Sequence, residues 1–330
     1  MTGSAPDDAD LPMQPGRRQI PGSTLRSPPM IARPSPILRM LAAALPVIAA
    51  APLRAQNFDT VQVRAAAVAG SVHMLVGSGG NIGLVVGDDA VFVVDDQYAP
   101  LTPKILAAIK SVTPQPVRFV LNTHWHFDHT GGNENIGKVG ALIFAHENVR
   151  RRMSTDQFIE ALNRREPASP RGALPVVTFT DTVSFHLNGD SIVVFHVPPA
   201  HTDGDAIVMF TRANVVHMGD VFVSDRFPFV DRSSGGSIHG IIGAAERVLA
   251  VTNAQAKIIP GHGPLADRAR LKAYRDMLVA MRDRMGREVA AGRTIEQVLA
   301  STITAEYDAQ WKSGRERFLR TLHQELSARR

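Results

Sequence analysis

The sequence has no cysteine in 330 residues. That excludes disulfides, thiolate nucleophiles, iron–sulfur clusters and every metal site built on cysteine sulfur. Any bound metal has to rest on nitrogen and oxygen ligands. A lasting excess of one charge sign is also missing. The whole chain carries +5, but six arginines and three aspartates fall in residues 1–55, and without them the balance is +2. A dedicated nucleic-acid binder is expected to keep a basic excess, so nucleic acid is not the expected partner. No apolar run reaches the roughly 20 residues that span a bilayer comfortably. What is present is ordinary for a soluble globular chain, with 44% apolar and 20% charged residues and enough length for a sizeable core.

Residues 1–36, rich in Pro, Gly, Ser and Arg, read as disordered. An apolar run follows from Ile37 to Leu53, interrupted by Arg39 and preceded by Arg33. Basic flank, short apolar stretch and the small residues of Ala50–Ala55 describe a secretory signal, with cleavage expected after Ala55. A translation start at Met30 gives a better-formed signal, and a buried helix is the competing reading of the run. The expected organisation is a leader over 1–55 and one domain over 56–330, helical from 265 onward. The location expected from the signal is the periplasm or the outside of the cell, with no stable membrane insertion after cleavage.

Short apolar runs at 72–76, 82–86, 91–94, 117–121 and 141–144 read as strands, and 101–111 and 147–153 as helices. The order repeats: strands at 176–179, 183–187, 191–197, 206–210 and 215–218, an amphipathic helix over 238–251, then a strand at 257–260. Asn188-Gly189 marks a hairpin turn. Strands then helix, twice, predicts an α/β protein of two similar halves whose sheets pack face to face. Leu271, Tyr274, Leu278, Met281 and Met285 form an apolar stripe read as core. Two further helices are expected at 295–301 and 315–326.

The chemistry concentrates at 123–133, Thr-His-Trp-His-Phe-Asp-His-Thr-Gly-Gly-Asn. His124, His126, Asp128 and His129 follow directly on a strand. In an extended segment His124, His126 and Asp128 would face one cleft and His129 a second point nearby. His201, Asp220 and His262 occur at later strand ends, each beside Gly or Pro turn residues. A lone histidine is usually structural, so the case rests on all of them together. Asp96 ends a buried strand, where a supporting role under the site and a chance surface aspartate both stay open. His217 is read as structural, and His73, His146, His186, His196, His239 and His323 as bystanders. The loop 77–83 reads as a hairpin loop, with a flap over the cleft as the alternative. Trp125, between two candidate ligands, should point away from them.

His124-x-His126-x-Asp128-His129, followed by His201, Asp220 and His262, resembles the metallo-β-lactamase superfamily. The resemblance covers the chain from the end of the leader to about residue 264. It implies an αββα sandwich, here with a helical C-terminal extension, and two zinc ions at the edge of the sheets. It assigns His124, His126 and His201 to the first zinc, and Asp128, His129 and His262 to the second. Asp220 then bridges the two or binds the second. It further implies a zinc-bound hydroxide, oriented by Asp128, that attacks a carbonyl. His126 stands where redox members of the family carry an acidic residue, which favours hydrolysis. The subclass of lactamases with a cysteine ligand is excluded, and Asp220 is expected at that position, as in thioesterase and lactonase relatives. No lysine follows Asp220 to pair with a substrate carboxylate, which leaves Arg226 and Arg232 as candidates. The expected activity is opening of a cyclic amide, β-lactam first, with a lactone or ester as the alternative. A non-catalytic zinc-binding protein would need a missing ligand, and none is missing.

Overall fold

The computed structural model describes residues 57–328. The expected leader, the cleavage point after Ala55 and the alternative start at Met30 lie outside these residues. The first half opens with an antiparallel meander, β1 (Arg64–Ala69), β2 (Val72–Val76), β3 (Ile82–Val85) and β4 (Val91–Val94). Helix α1 (Thr102–Lys110) crosses over to β5 (Val117–Asn122), which pairs parallel to β4. A short helix α2 (Phe127–Thr130) and α3 (Asn133–Lys138) lead to β6 (Leu142–His146), followed by α4 (Glu147–Met153). After a small hairpin, β7 (Gln157–Ile159) and β8 (Arg164–Glu166), strand β9 (Val177–Phe179) closes this sheet beside β6.

The second half repeats the plan. β10 (Thr182–Leu187), β11 (Asp190–His196), β12 (Ala206–Phe210) and β13 (Val215–His217) form a meander. Asn188 and Gly189, with φ of 56° and 69°, supply the positive-φ pair that a two-residue hairpin requires. Helix α5 (Ile238–Val251) crosses over to β14 (Lys257–Ile259), parallel to β13, and β15 (Ala266–Asp267) adds an edge. Parallel neighbours need such crossovers, which is why each half carries its helix outside the sheet.

Alternation along the strands assigns the layers. Phe92 and Val94 of β4 meet Ile192, Val194, Val208 and Phe210 between the sheets. Val91 and Val93, pointing the other way, pack with Leu101, Ile105 and Ile109 at α1. Ile207 and Val216 likewise face outward onto α5 and the C-terminal helices. The result is an α/β/β/α sandwich. The C-terminal helices are α6 (Arg268–Ala290), α7 (Ile295–Leu299) and α8 (Arg315–Ser327). The predicted stripe of α6 is buried in one cluster with Phe222, Trp311 and Phe318. Thr294 and Gln297 cap α7 reciprocally. Among the described residues no helix is long and apolar enough to cross a membrane.

Candidate metal centre

The site forms in the loops that follow β5, β11, β13 and β14. The extended reading of 124–128 holds only as far as His126. That residue is the last with extended backbone (φ −61°, ψ 145°), and Phe127–Thr130 turns into a helix. The helical turn redirects Asp128 and His129, so both reach the second donor cluster instead of splitting across two faces. His124, His126 and His201 form the first cluster, and Asp128, His129 and His262 the second. His124, His129 and Asp220 make a third combination, each set with one donor atom per residue within 4.8 Å of the others. Asp220, on the 3-10 turn Gly219–Val221 after β13, stands between the clusters: its carboxylate is 3.2 Å from His129 Nε2, 3.4 Å from His262 Nε2 and 3.8 Å from His201 Nε2.

The ring nitrogens that face away from the clusters fix the tautomers. His201 Nδ1 donates to the Phe229 carbonyl at 2.7 Å. His126 Nε2 donates to Asp231 Oδ2 at 3.0 Å. Thr123 Oγ1 gives its hydrogen to Asp95 Oδ2 and therefore accepts from His124 Nδ1 at 3.1 Å. In each neutral ring the inward nitrogen is then a lone pair. His201 Nε2 and His126 Nδ1 face each other at 2.9 Å, and His124 Nε2 is buried with no partner. Two lone pairs at that distance repel unless a cation lies between them. Burial, with the neighbouring rings of His129, His201 and His126, pushes His124 well below the usual histidine range, and burial and His126 lower His201. Protons are therefore poor candidates for that cation, and a metal fits the donor set.

The second cluster is rich in carboxylate. Burial alone would lower His129, but Asp220, Asp95 and Asp128 overcome it and hold it well above the usual range. Burial likewise opposes protonation of His262, yet Asp220 and Asp128 raise it to about 9. Burial raises Asp128, and the His129 and His262 rings reverse this and bring it to about 2. His262 Nε2 is 3.2 Å from Asp128 Oδ2. His129 Nε2 and Asp220 Oδ1 are buried and make no hydrogen bond of good geometry, so both atoms are available to a metal.

Several supporting residues escaped the motif. Asp95, buried at the end of β4 with φ 64°, bonds His129 Nδ1 at 2.7 Å and both the amide and hydroxyl of Thr123. It touches the candidate ligand directly, and its neighbour Asp96 does not; Asp96 Oδ1 accepts from the Gly132 amide and so holds the turn after α2. Asp231 and Phe229 act from a loop that no motif marks. The Phe229 ring stacks on His126 with centroids 5.8 Å apart. Asp205 holds the His201 turn by accepting from the amides of His201 and Thr202.

The 77–83 segment is a pinned hairpin loop and not a flap. Gln97 Nε2 donates to the Gly80 carbonyl, and Asn81 bonds the carbonyls of Pro260 and Gly263. Gly80 is required by close approach, since a Cβ there would stand 2.2 Å from the His129 ring. His217 bonds the Asn81 carbonyl and the Gly219 amide, a structural place. Trp125 points away and donates to Ser234 Oγ. The cleft in front of the donors is about 360 Å³ and is lined by Phe127, Ile159, Leu162 and Phe229, with two arginines, Arg226 and Arg317. Arg232 lies elsewhere. It donates to the Gly236 carbonyl and faces Glu325 at 3.6 Å.

The family model of the metallo-beta-lactamase superfamily matches residues 75–283. The chain therefore belongs to the metallo-β-lactamase superfamily. Among solved structures it resembles a metallo-beta-lactamase from Pontibacter korlensis at 19% identity and a TM-score of 0.54, covering 66% of this chain and 99% of that one. DIM-1 metallo-beta-lactamase aligns at 20% identity, 66% and 98% coverage and a TM-score of 0.52. The stereoselective inverting sec-alkylsulfatase Pisa1 from Pseudomonas sp. aligns at 15% identity and a TM-score of 0.59 over 80% of this chain. The present chain spans 50% of that alkylsulfatase. At these identities the likeness defines the fold.

Proposed function

We propose that the protein is a dinuclear zinc hydrolase that opens a cyclic amide, a β-lactam foremost. His124, His126 and His201 would hold one ion, and Asp128, His129 and His262 the other, with Asp220 shared or on the second. The observation that carries this reading is the buried pair of facing lone pairs on His126 and His201 beside the unpartnered His124 Nε2. Zinc bound there supplies Lewis acidity for the carbonyl and brings the pKa of a bound water to about 7.

The remaining work belongs to the chain. Asp128, at about 2, stays ionised at neutral pH, so its carboxylate accepts a hydrogen bond from the attacking water and aims it. Water adds across the ring C–N bond, its oxygen going to the carbonyl carbon and a proton to the amine nitrogen. Asp128 is placed to hold that proton in transit. Asp231 and the Phe229 carbonyl keep His126 and His201 in register, and the apolar lining of the cleft limits water.

A lactone or ester is the second reading, favoured by one feature: with no cysteine in the chain, Asp220 would take the place that cysteine holds in a subclass of the family's lactamases. We place the protein in the periplasm or outside the cell on the basic-then-apolar segment before Ala55, with a small molecule as its partner. Metal analysis of purified protein should find about two zinc ions per chain; a folded protein that binds none refutes the site. Turnover of a chromogenic cephalosporin, a lactone panel and a secondary alkyl sulfate then separates the substrates. Asp220→Ala should lower both metal content and rate, and unchanged values would remove Asp220 from the site.

A further inference from the structure

We propose that Arg317, delivered by helix α8, is the residue that recognises a single negative charge on the substrate, as carboxylate or sulfonate-like group, at the mouth of the metal cleft. The inference rests on the proposed hydrolase reading and names the substrate class of the same site. Two arginines line the cleft. Arg226 is spoken for by its neighbour, with Nε 2.8 Å from Asp225 Oδ1 and a second nitrogen 3.4 Å from Oδ2. Arg317 makes no ion pair or hydrogen bond among the described residues. Its guanidinium lies 5.3 Å from the centroid of the Phe229 ring, the ring that stacks on His126 and whose carbonyl orients His201. The aromatic face steadies the cation without using its hydrogen-bond donors. Five N–H groups thus remain for a ligand.

Other arginines on this helix are engaged. Arg315 bonds Thr304 and the carbonyls of Leu299 and Ser301, and Arg320 pairs with Glu316 and Glu296. The position of Arg317 is fixed from behind. Phe227 donates its amide to the Ser313 carbonyl at 2.9 Å and stacks on Phe318 at 5.4 Å. Gly314 and Arg317 also border a second cavity of about 600 Å³. An anion at Arg317 would therefore sit between the reacting centre and room for a larger substituent. Two divalent ions would outweigh the charge of Asp128 and Asp220 and leave the cleft cationic, which would suit an anionic substrate.

The test uses the zinc-loaded full chain and calorimetric titration with benzoate, benzenesulfonate and neutral benzamide. The wild-type protein should bind at least one of the anions about tenfold more tightly than benzamide, the effect of one hydrogen bond to a charged group. Arg317→Ala should abolish the preference with an unchanged thermal midpoint, Arg317→Lys should keep part of it, and Arg226→Ala should retain it. With turnover, Arg317→Ala should raise KM about tenfold for an anionic substrate, leave kcat close to wild type, and leave a matched methyl ester unaffected. Absence of any preference in the wild type, or its survival in Arg317→Ala, overturns the proposal. The titration needs no turnover, so a protein that opens no ring yet shows an Arg317-dependent preference refutes the reaction and keeps the anion site.

Discussion

Replacement of Asp231 by alanine tests the first donor cluster without touching a candidate ligand. The carboxylate accepts from His126 Nε2 at 3.0 Å, from Ser234 Oγ at 2.6 Å and from the Ser234 amide at 3.1 Å, and from the Ser233 hydroxyl. Those contacts push its pKa far below the usual carboxylate range, against the opposing effect of burial. Removing it has two separable consequences. His126 loses the acceptor that keeps its proton on Nε2, and the tautomer with Nδ1 protonated competes with metal. Loss of such an outer partner typically lowers metal affinity by about 10–100-fold, or roughly 1.4–2.7 kcal/mol. The stranded donors in turn cost about 1–3 kcal/mol of stability, a fall in midpoint of roughly 2–12 °C for a domain of this size. Competition for zinc against a chromophoric chelator reads the first effect, and melting in excess EDTA reads the second. Asp231→Asn, which keeps an acceptor oxygen, should recover part of the affinity. A variant that melts earlier in EDTA yet binds zinc as tightly as wild type would show that Asp231 is structural and that the tautomer argument is wrong.

Three further outcomes follow from the same contacts. Gly80→Ala forces a Cβ into a ring that Asp95 holds at 2.7 Å. Zinc content measured by mass spectrometry should therefore fall from two toward one per chain, at an overpacking cost of about 1–3 kcal/mol. His146 is lowered by burial and then by the stacked His196 ring, and it is needed neutral, since Nε2–H donates to Thr180 and Nδ1 accepts from the Asn148 amide. A folded pKa below the unfolded value means stability is full above about pH 6.5 and falls as pH drops through it toward the folded value. His146→Asn, which keeps a helix cap, should flatten the decline in midpoint between pH 7.5 and 5.5. Glu325→Ala should lower the midpoint by roughly 4–8 °C, about 2 kcal/mol, because the buried carboxylate accepts from Ser237 Oγ and the Ile238 amide at the start of α5.

How much of this was legible in the sequence depends on what carries the information. Every buried strand announced itself as an apolar run, because alternate residues of β4 or β12 each meet a core on their own side. The seven residues that the structure brings together around the donors were legible because Gly and Pro turns follow strand ends. The helical turn at Phe127–Thr130 was not, since four residues carry too little periodicity to outweigh the extended start. Asp95 was obscured by Asp96, and which of the two bonds His129 depends on a backbone φ of 64° that no pattern encodes. Asp231, Phe229 and Arg317 were out of reach for another reason: their partners lie far away in sequence, and only packing brings them together.

That packing gives the C-terminal helices a part in the site although they contribute none of its donor residues. Arg270 of α6 donates to the Ser224 carbonyl, Lys312 to the Asp225 carbonyl, and Phe227 to the Ser313 carbonyl. Glu325 of α8 accepts from Ser237 and Ile238. The segment from Ser224 to Ser237 is thus held at both ends by α6–α8, and its middle supplies the Phe229 carbonyl and the Asp231 carboxylate that set His201 and His126. A loop of this length, left to itself, would sample many conformations, and holding two imidazoles with their lone pairs 2.9 Å apart opposes the relaxation that such freedom allows. Fixing the loop from outside keeps that repulsive arrangement assembled for a cation. Helix α6, whose stripe reads as simple core in the sequence, is through Arg270 at Ser224 and through the packing of that stripe in one cluster with Phe227 part of what shapes the candidate metal centre.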